Sequence, residues 1–309
     1  GGAWPSHTWL TDEAGQPWRI PTEPLRPWLG VLTELTQERG RTSQGDAIQL
    51  DRFEALRLAA VETAPGEPAI TLSKKDARSL SDLVSVLKHP DTLPSVKPPK
   101  GLQAELRPYQ QQGLNWMQLL RKHGLGGVLA DDMGLGKTLQ TISHLLLEKQ
   151  ARRLTEPALV VAPTSLVGNW RSELQRFAPK LSVLVLHGQQ RHHDFTRMAD
   201  HDVVITTYPL LLRDEETLTK QAWSIVVLDE AQAIKNAKTR IAGIVLELPA
   251  QQRLCLTGTP MENHLGEVWS LFHFLMPGYL GSETRFKQLF RTPIEKHGDA
   301  HRLALLRAR

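Results

Sequence analysis

The chain has 309 residues, 40% of them apolar, which is enough for one large or two smaller domains with a sizeable core. Its single cysteine, Cys255, excludes an intrachain disulfide framework or a cysteine-built metal site and suits a reducing cytosol; no apolar stretch approaches membrane-spanning length, and no secretory signal is visible. The net charge of +4 is uneven, with 12 Lys/Arg against 13 Asp/Glu in residues 1–100 and 25 against 20 in residues 101–309, a mild excess that permits nucleic-acid binding without arguing for it.

The chain begins Gly1-Gly2 without a methionine, which points to a fragment. Tryptophan and proline recur through the first thirty residues, from Trp4 to Trp28, as aromatics that could pack on a neighbouring surface. Residues 47–61 predict a short strand and then a helix, with Asp51 as N-cap and Glu54 three residues on as its capping-box partner. Residues 79–88 predict a second amphipathic helix. Four prolines in residues 89–100 mark an exposed linker and a domain boundary.

From Leu102 the pattern changes. Short β-favouring runs at 128–130, 158–162, 183–186, 203–206, 225–228 and 254–257 alternate with helical stretches. Such alternation implies βαβ units: an α/β fold with a mainly parallel sheet and helices on both faces. It is preceded by a small α+β N-terminal region, so that residues 1–100 and 101–309 form two parts.

The segment Leu106-Arg107-Pro108-Tyr109-Gln110 opens a helix with apolar Leu114, Met117 and Leu120. A glutamine upstream of a phosphate loop offers an adenine edge both a donor and an acceptor, though spacing alone does not establish that role for Gln110. Residues 127–138 then read strand, Gly-rich turn and helix start, the context of a phosphate-binding loop. Gly134 and Gly136 let the backbone turn so that its N–H groups can face phosphate oxygens, and the helix N-terminus adds partial positive charge. Lys137 would reach the β- and γ-phosphates, and the Thr138 hydroxyl would hold Mg²⁺. The strict pattern G-x-x-x-x-G-K-[ST] is not met, because Asp131 stands at its first glycine. Apolar Leu139, Ile142, Leu145 and Leu146 follow on one helical face.

Residues 162–170, APTSLVGNW, leave a strand with Ser165, Asn169 and Trp170 in the turn, donors suited to nucleic-acid phosphates or simply to capping. Thr207-Tyr208-Pro209 and Thr257-Gly258-Thr259 end two further strands at the same sheet edge. The adjacent His192 and His193 share no helix face and make no metal site. At 225–230 a buried-type strand ends in Asp229 and Glu230, placed to hold Mg²⁺ and to activate water, or, taken alone, to cap a helix. This order of strands fits a RecA-like lobe, a P-loop NTPase.

Taken together, LRPYQ (106–110), DDMGLGKT (131–138), APTSLVGNW (162–170), ITTY (205–208), DEAQAIKN (229–236), LTGTPMEN (256–263) and EVWSLFHFLMPGYLGS (267–282) resemble the first lobe of Swi/Snf-type superfamily-two ATPases, most of all bacterial members. The resemblance covers about two-thirds of the chain. It implies adenine recognition by Gln110, and phosphate and Mg²⁺ binding by Gly134, Gly136, Lys137 and Thr138. It implies catalysis by Lys137, Asp229 and Glu230, with Asp229 also on Mg²⁺. Ser165, Asn169, Trp170 and Thr207 fall in motifs that face the DNA backbone, and Thr257, Gly258 and Thr259 in the motif that couples nucleotide state to DNA contact. The family carries an acidic residue at Asp131. The implied partners are ATP, Mg²⁺ and double-stranded DNA, for a monomeric, cytoplasmic, nucleoid-associated protein. The family's second RecA-like lobe, with its arginine fingers, would begin about where Arg309 ends, so ATP turnover by this chain alone is expected to be weak. Two other readings stay open at this stage: a strand-separating helicase, and a nucleotide-switched module whose N-terminal region docks a partner such as RNA polymerase.

Overall fold

A computed structural model describes residues 7–11, 17–21, 86, 92–132, 134–258 and 264–307. The chain divides into two compact units, Gly1–Pro90 with Arg307–Arg309, and Asp91–Leu306. In the first unit β1 (His7–Thr11) pairs antiparallel with β2 (Pro17–Pro21). The strand and helix expected at 47–61, with Asp51 and Glu54, lie outside the described residues, as does all of the 79–88 helix except Val86, which is helical.

The second unit is built on six parallel strands: β3 (Gly127–Leu129), β4 (Ala158–Ala162), β5 (Val183–Val185), β6 (Val203–Thr207), β7 (Trp223–Leu228) and β8 (Ala250–Leu256). Their spatial order is β3-β8-β7-β4-β6-β5. These are the six runs expected from the sequence. They form strands because β-branched and leucine residues dominate them, and a sheet covered on both faces buries its central strands completely. β4, β6 and β7 are buried throughout.

Side chains alternate between two cores with the period of the pleat. Ala158, Val160, Ala162, Ile225, Val227, Leu254 and Leu256 face one core. It is closed by α1 (Pro108–Lys122), α2 (Lys137–Gln150) and α3 (Val167–Phe177), through Met117, Ile142, Leu145, Trp170 and Leu174. Leu159, Val161, Val204, Val226, Leu228 and Cys255 face the other. That core is closed by α4 (Tyr208–Arg213), α5 (Glu215–Lys220), α6 (Arg240–Glu247) and α7 (Leu265–Leu275). Trp269 of α7 forms a small separate apolar cluster with Leu280, Phe286 and Phe290, which follow that helix.

Three local features go beyond the sequence reading. β8 starts at Ala250, ahead of the apolar run, because its polar residues are satisfied inside. Gln252 bonds the buried His144, and the Arg253 guanidinium donates to the carbonyls of Leu246, Leu248 and Phe274. The polar face of α2 is buried rather than solvated, since α1 lies over it and pairs with its His144 and Glu148. Residues 92–100 run without regular structure and mostly exposed, but they are fastened to α1: the Val96 N–H donates to Asn115 Oδ1 at 3.0 Å, and its carbonyl accepts from Gln111 Nε2 at 2.8 Å. Among the described residues, no helix is long and apolar enough to cross a membrane.

Candidate active site

In a parallel sheet every strand ends on the same edge, so the loops after β3, β8 and β7 open side by side. The loop after β3 carries residues 130–132 and 134–136 and turns into α2 at Gly136, whose φ of 78° and ψ of 38° are left-handed. Gly134 is also left-handed, at φ 83°. A Cβ on Gly134 would meet nothing within 4 Å, so its outer side is open to an approaching group. A Cβ on Gly136 would come within 2.5 Å of Gln110 Nε2. Gln110 therefore packs directly under the turn, with its amide donating to the Leu135 carbonyl at 3.1 Å and accepting from Arg107 N–H at 2.9 Å. One amide hydrogen and one lone pair stay available for a base edge.

Lys137 folds back over its own loop, donating to the carbonyls of Asp131 at 2.6 Å and Asp132 at 3.1 Å. Asp131, the residue that departs from the strict loop pattern, accepts Gln140 Nε2 on Oδ2 at 2.9 Å. Its carboxylate thus ties the loop to the first turn of α2, which a glycine could not do. Thr138 sits half-buried at the start of α2, beside the unpaired N–H groups of the first turn.

Asp229 follows β7 and is buried, with partners on every polar atom. Its N–H donates to the Val161 carbonyl at 2.9 Å. Oδ2 accepts Trp170 Nε1 at 2.8 Å, Oδ1 accepts the Glu230 N–H at 3.0 Å, and its carbonyl accepts the Tyr208 hydroxyl at 2.6 Å. Burial and the neighbouring Glu230 charge push its carboxyl above the usual range, against the Trp170 and Glu230 hydrogen bonds and the Lys137 charge, which pull it down. A cation placed there would reverse that balance. Glu230 has left-handed backbone, φ 51°, unusual for a residue with a Cβ and a mark of functional sites. Its Oε2 accepts Gln232 Nε2 at 2.7 Å, and Gln232 Oε1 accepts the Thr257 hydroxyl at 3.3 Å. The Thr257 N–H donates to the Leu129 carbonyl at 3.2 Å. The end of β8 thereby joins the two halves of the site. Gly258 follows at the same edge, and Thr259 lies outside the described residues.

The residues expected at the DNA face separate into two pairs. Ser165, in a 3-10 turn, and Asn169, which donates to Glu173 at 2.9 Å, are exposed. The expectation for Trp170 and Thr207 needs correction. Trp170 is fully buried with its one polar atom committed to Asp229, and the buried Thr207 caps α4 by accepting the Leu210 N–H. Their neighbours in the motifs point out; they point in. Sequence reasoning passed over Tyr208, Gln140 and Gln232. The signal for Tyr208 and Gln232 lay in their places next to strand ends, within motifs already singled out. Gln140 carried none, since its partner lies across the turn. Among the described residues, no three or more His, Cys, Asp or Glu side chains cluster as a metal cage.

The SNF2-related domain model matches residues 109–308. The putative ATP-dependent helicase/translocase YwqA of Bacillus subtilis is 44% identical over 233 residues, covering 74% of this chain and 25% of that protein. The TATA-binding protein-associated factor MOT1 of Saccharomyces cerevisiae is 41% identical over 226 residues, 69% of this chain and 12% of its own length. Among solved structures, the Sulfolobus solfataricus SWI2/SNF2 ATPase core in complex with dsDNA superposes with a TM-score of 0.65 at 44% identity, covering 70% of this chain and 45% of that one. The ATPase core domain from the same organism gives 0.63 at 46% identity, with 69% and 43% covered. The chain thus spans a quarter or less of these two curated relatives and under half of either solved core.

Proposed function

We propose, for a chain that belongs to the SNF2-related domain family, that residues 101–309 act as the first RecA-like lobe of an ATP-driven motor. The motor moves along double-stranded DNA, without separating its strands, to remodel nucleoprotein complexes. The observation that carries this reading is the sheet order: the phosphate loop after β3 and the carboxylates after β7 meet at one edge, with only β8 between them.

In this reading Gln110 recognises adenine. The backbone of Gly134 and Gly136 and the first turn of α2 receive the phosphates, and Lys137 exchanges its two loop carbonyls for phosphate oxygens. The donor set fits Mg²⁺ better than a metal that needs a protein cage: Thr138 and Asp229 supply two hard oxygens, and phosphate and water supply the rest. The ion would neutralise charge developing on the phosphate oxygens. Glu230, held outward by Gln232, takes the proton of the attacking water. Exposed Ser165 and Asn169 contact the DNA backbone, so binding depends little on base sequence. Thr257 and Gly258, with Thr259, relay the state of the nucleotide to that face.

In this reading arginine fingers come from a second lobe, and such a group is worth on the order of 10³- to 10⁵-fold in phosphoryl transfer. Residues 1–309 alone therefore bind nucleotide and turn it over slowly. The deciding experiment is ATP turnover by the chain extended through a second lobe, with no nucleic acid, duplex DNA, single-stranded DNA or RNA, and with Glu230→Gln as control. Stimulation by duplex DNA that the control abolishes is expected. Equal rates with and without every nucleic acid refute the motor. Release of a labelled strand from a duplex would instead make it a helicase. The cargo is a nucleoprotein complex such as one built on RNA polymerase, with residues 1–100 as the docking part, and a pull-down with that part tests the assignment.

A further inference from the structure

Asp229 is held by more groups than a strand-end carboxylate requires. Two of them are large aromatic residues that approach from opposite faces of the sheet. Trp170 lies in the core under α3, and Tyr208 in the core under α4. Both follow strands near β7: β4 is its direct neighbour, and β6 is the next strand out. A phenylalanine at 170 would fill much of the same volume, so the indole N–H is the part that packing does not explain. It ends 2.8 Å from Asp229 Oδ2. The Tyr208 hydroxyl ends 2.6 Å from the Asp229 carbonyl and secures the backbone from which the carboxylate projects.

The chemistry of these partners matters. A buried aspartate with a purely structural task is usually paired with a cation, as Asp214 is here with Arg191 at 2.7 Å. Asp229 instead takes neutral donors, one N–H on each oxygen. Neutral donors fix a carboxylate's plane and leave its charge uncancelled, and a carboxylate offers about four lone-pair sites, of which two remain. Such outer partners orient metal ligands, and their loss commonly weakens metal affinity by about 10–100-fold.

We propose that Trp170 and Tyr208 are positioning residues for the Mg²⁺ carboxylate, clamping Asp229 side chain and backbone from the two faces of the sheet. The inference rests on the reading of Asp229 as a Mg²⁺ ligand.

The test titrates a non-hydrolysable fluorescent ATP analogue onto the 309-residue chain, in Mg²⁺ over a range of concentrations and in EDTA. Trp170→Phe is expected to raise the Mg²⁺ concentration for half-maximal effect about 10-fold, and to leave affinity in EDTA within about twofold of wild type. Tyr208→Phe shifts it in the same direction by about threefold, as loss of one hydrogen bond would. A defect of packing alone would weaken binding equally in Mg²⁺ and EDTA, and that result overturns the proposal, as does wild-type Mg²⁺ dependence in both variants. If Trp170→Phe does not fold, Tyr208→Phe decides. Asp229→Ala separates the two levels. Should it keep wild-type Mg²⁺ dependence, the metal-site reading falls and the clamp with it; should it lose that dependence while the aromatic variants keep theirs, only the clamp is refuted.

Discussion

Replacing Glu148 with Gln should unfold the lobe more readily than any substitution at its surface. Glu148 is fully buried on α2 and accepts Arg121 Nε at 3.1 Å and Gln118 Nε2 at 2.7 Å, with Arg153 closing its other side. The Arg121 side chain is 11% exposed and the Arg153 side chain 46%. Glutamine keeps the volume but strips the charge, which leaves Arg121 nearly dry with no counter-ion. Breaking a buried pair from one side costs about 3–5 kcal/mol. Arg153 loses its partner as well, but its half-exposed guanidinium can be rehydrated, so stranding it costs less than stranding Arg121. In a unit of this size each kcal/mol moves Tm by about 2–4 °C, so a fall of roughly 6–20 °C is expected. The double variant Arg121→Met, Glu148→Met should recover most of it, since an apolar pair can replace a buried ionic one at little loss. Urea unfolding followed by circular dichroism reads both variants. A loss below about 1 kcal/mol in Glu148→Gln, or no recovery in the double variant, would refute a dry network.

The same residues set an acid response. Burial pushes the Glu148 carboxyl up, but the Arg153 bond, the His144 charge and the Gln118 bond outweigh it and hold it below its ordinary 4.5. Burial also holds His144 below its ordinary 6.5, against the pull of Glu148. Both folded values are depressed, so both groups stabilise the fold fully above their unfolded values, and that stability is lost as pH falls toward the folded ones. Wild type should lose stability in two stages, from about pH 6.5 through His144 and below about pH 4.5 through Glu148, with only the first left in Glu148→Gln.

Other substitutions separate neighbouring roles. Gly134→Ala and Gly136→Ala both force a Cβ into left-handed backbone, at about 1–2 kcal/mol each. Only Gly136→Ala also pushes Gln110 off the Leu135 carbonyl, so its melting point should fall further, by about another 1 kcal/mol of stability. Thr207→Ala should cost about 1 kcal/mol as a lost helix cap and leave duplex affinity unchanged. Ser165→Ala with Asn169→Ala should weaken duplex binding alike on unrelated sequences, as fluorescence anisotropy of the two-lobed protein would show.

How far the sequence could be read depended on the distance over which each residue finds its partner. The six strands were legible because a strand covered on both faces needs an apolar run, and β4 and residues 225–228 of β7 are such runs. The phosphate loop was legible because its left-handed turn demands glycine within three residues of Lys137 and Thr138. Orientation was harder. Asn169 and Trp170 are adjacent, and nothing local says that one faces solvent while the other reaches Asp229 from 59 residues away. The His144–Gln252 contact joins residues 108 apart, so nothing local marks a polar helix face and a polar strand start as each other's partner. Strand order was likewise beyond local pattern, and it is strand order that sets the width of the site.

That width follows from β8. Had β3 paired directly with β7, the phosphate loop and the carboxylates would start about 4.8 Å apart, one strand spacing, too close for a phosphate chain and a hydrated cation. With β8 between them the spacing becomes about 10 Å. The inserted strand then has to connect what it separates, and the residue that follows it does so. Thr257 bonds the end of β3 through its N–H and Gln232 through its hydroxyl, and Gln232 in turn holds Glu230. Glu230 needs such a hold, because a left-handed glutamate is strained by about 1 kcal/mol or more and would otherwise relax. The end of β3 is therefore linked to the Glu230 carboxylate through two residues, Thr257 and Gln232, without passing through the body of the sheet.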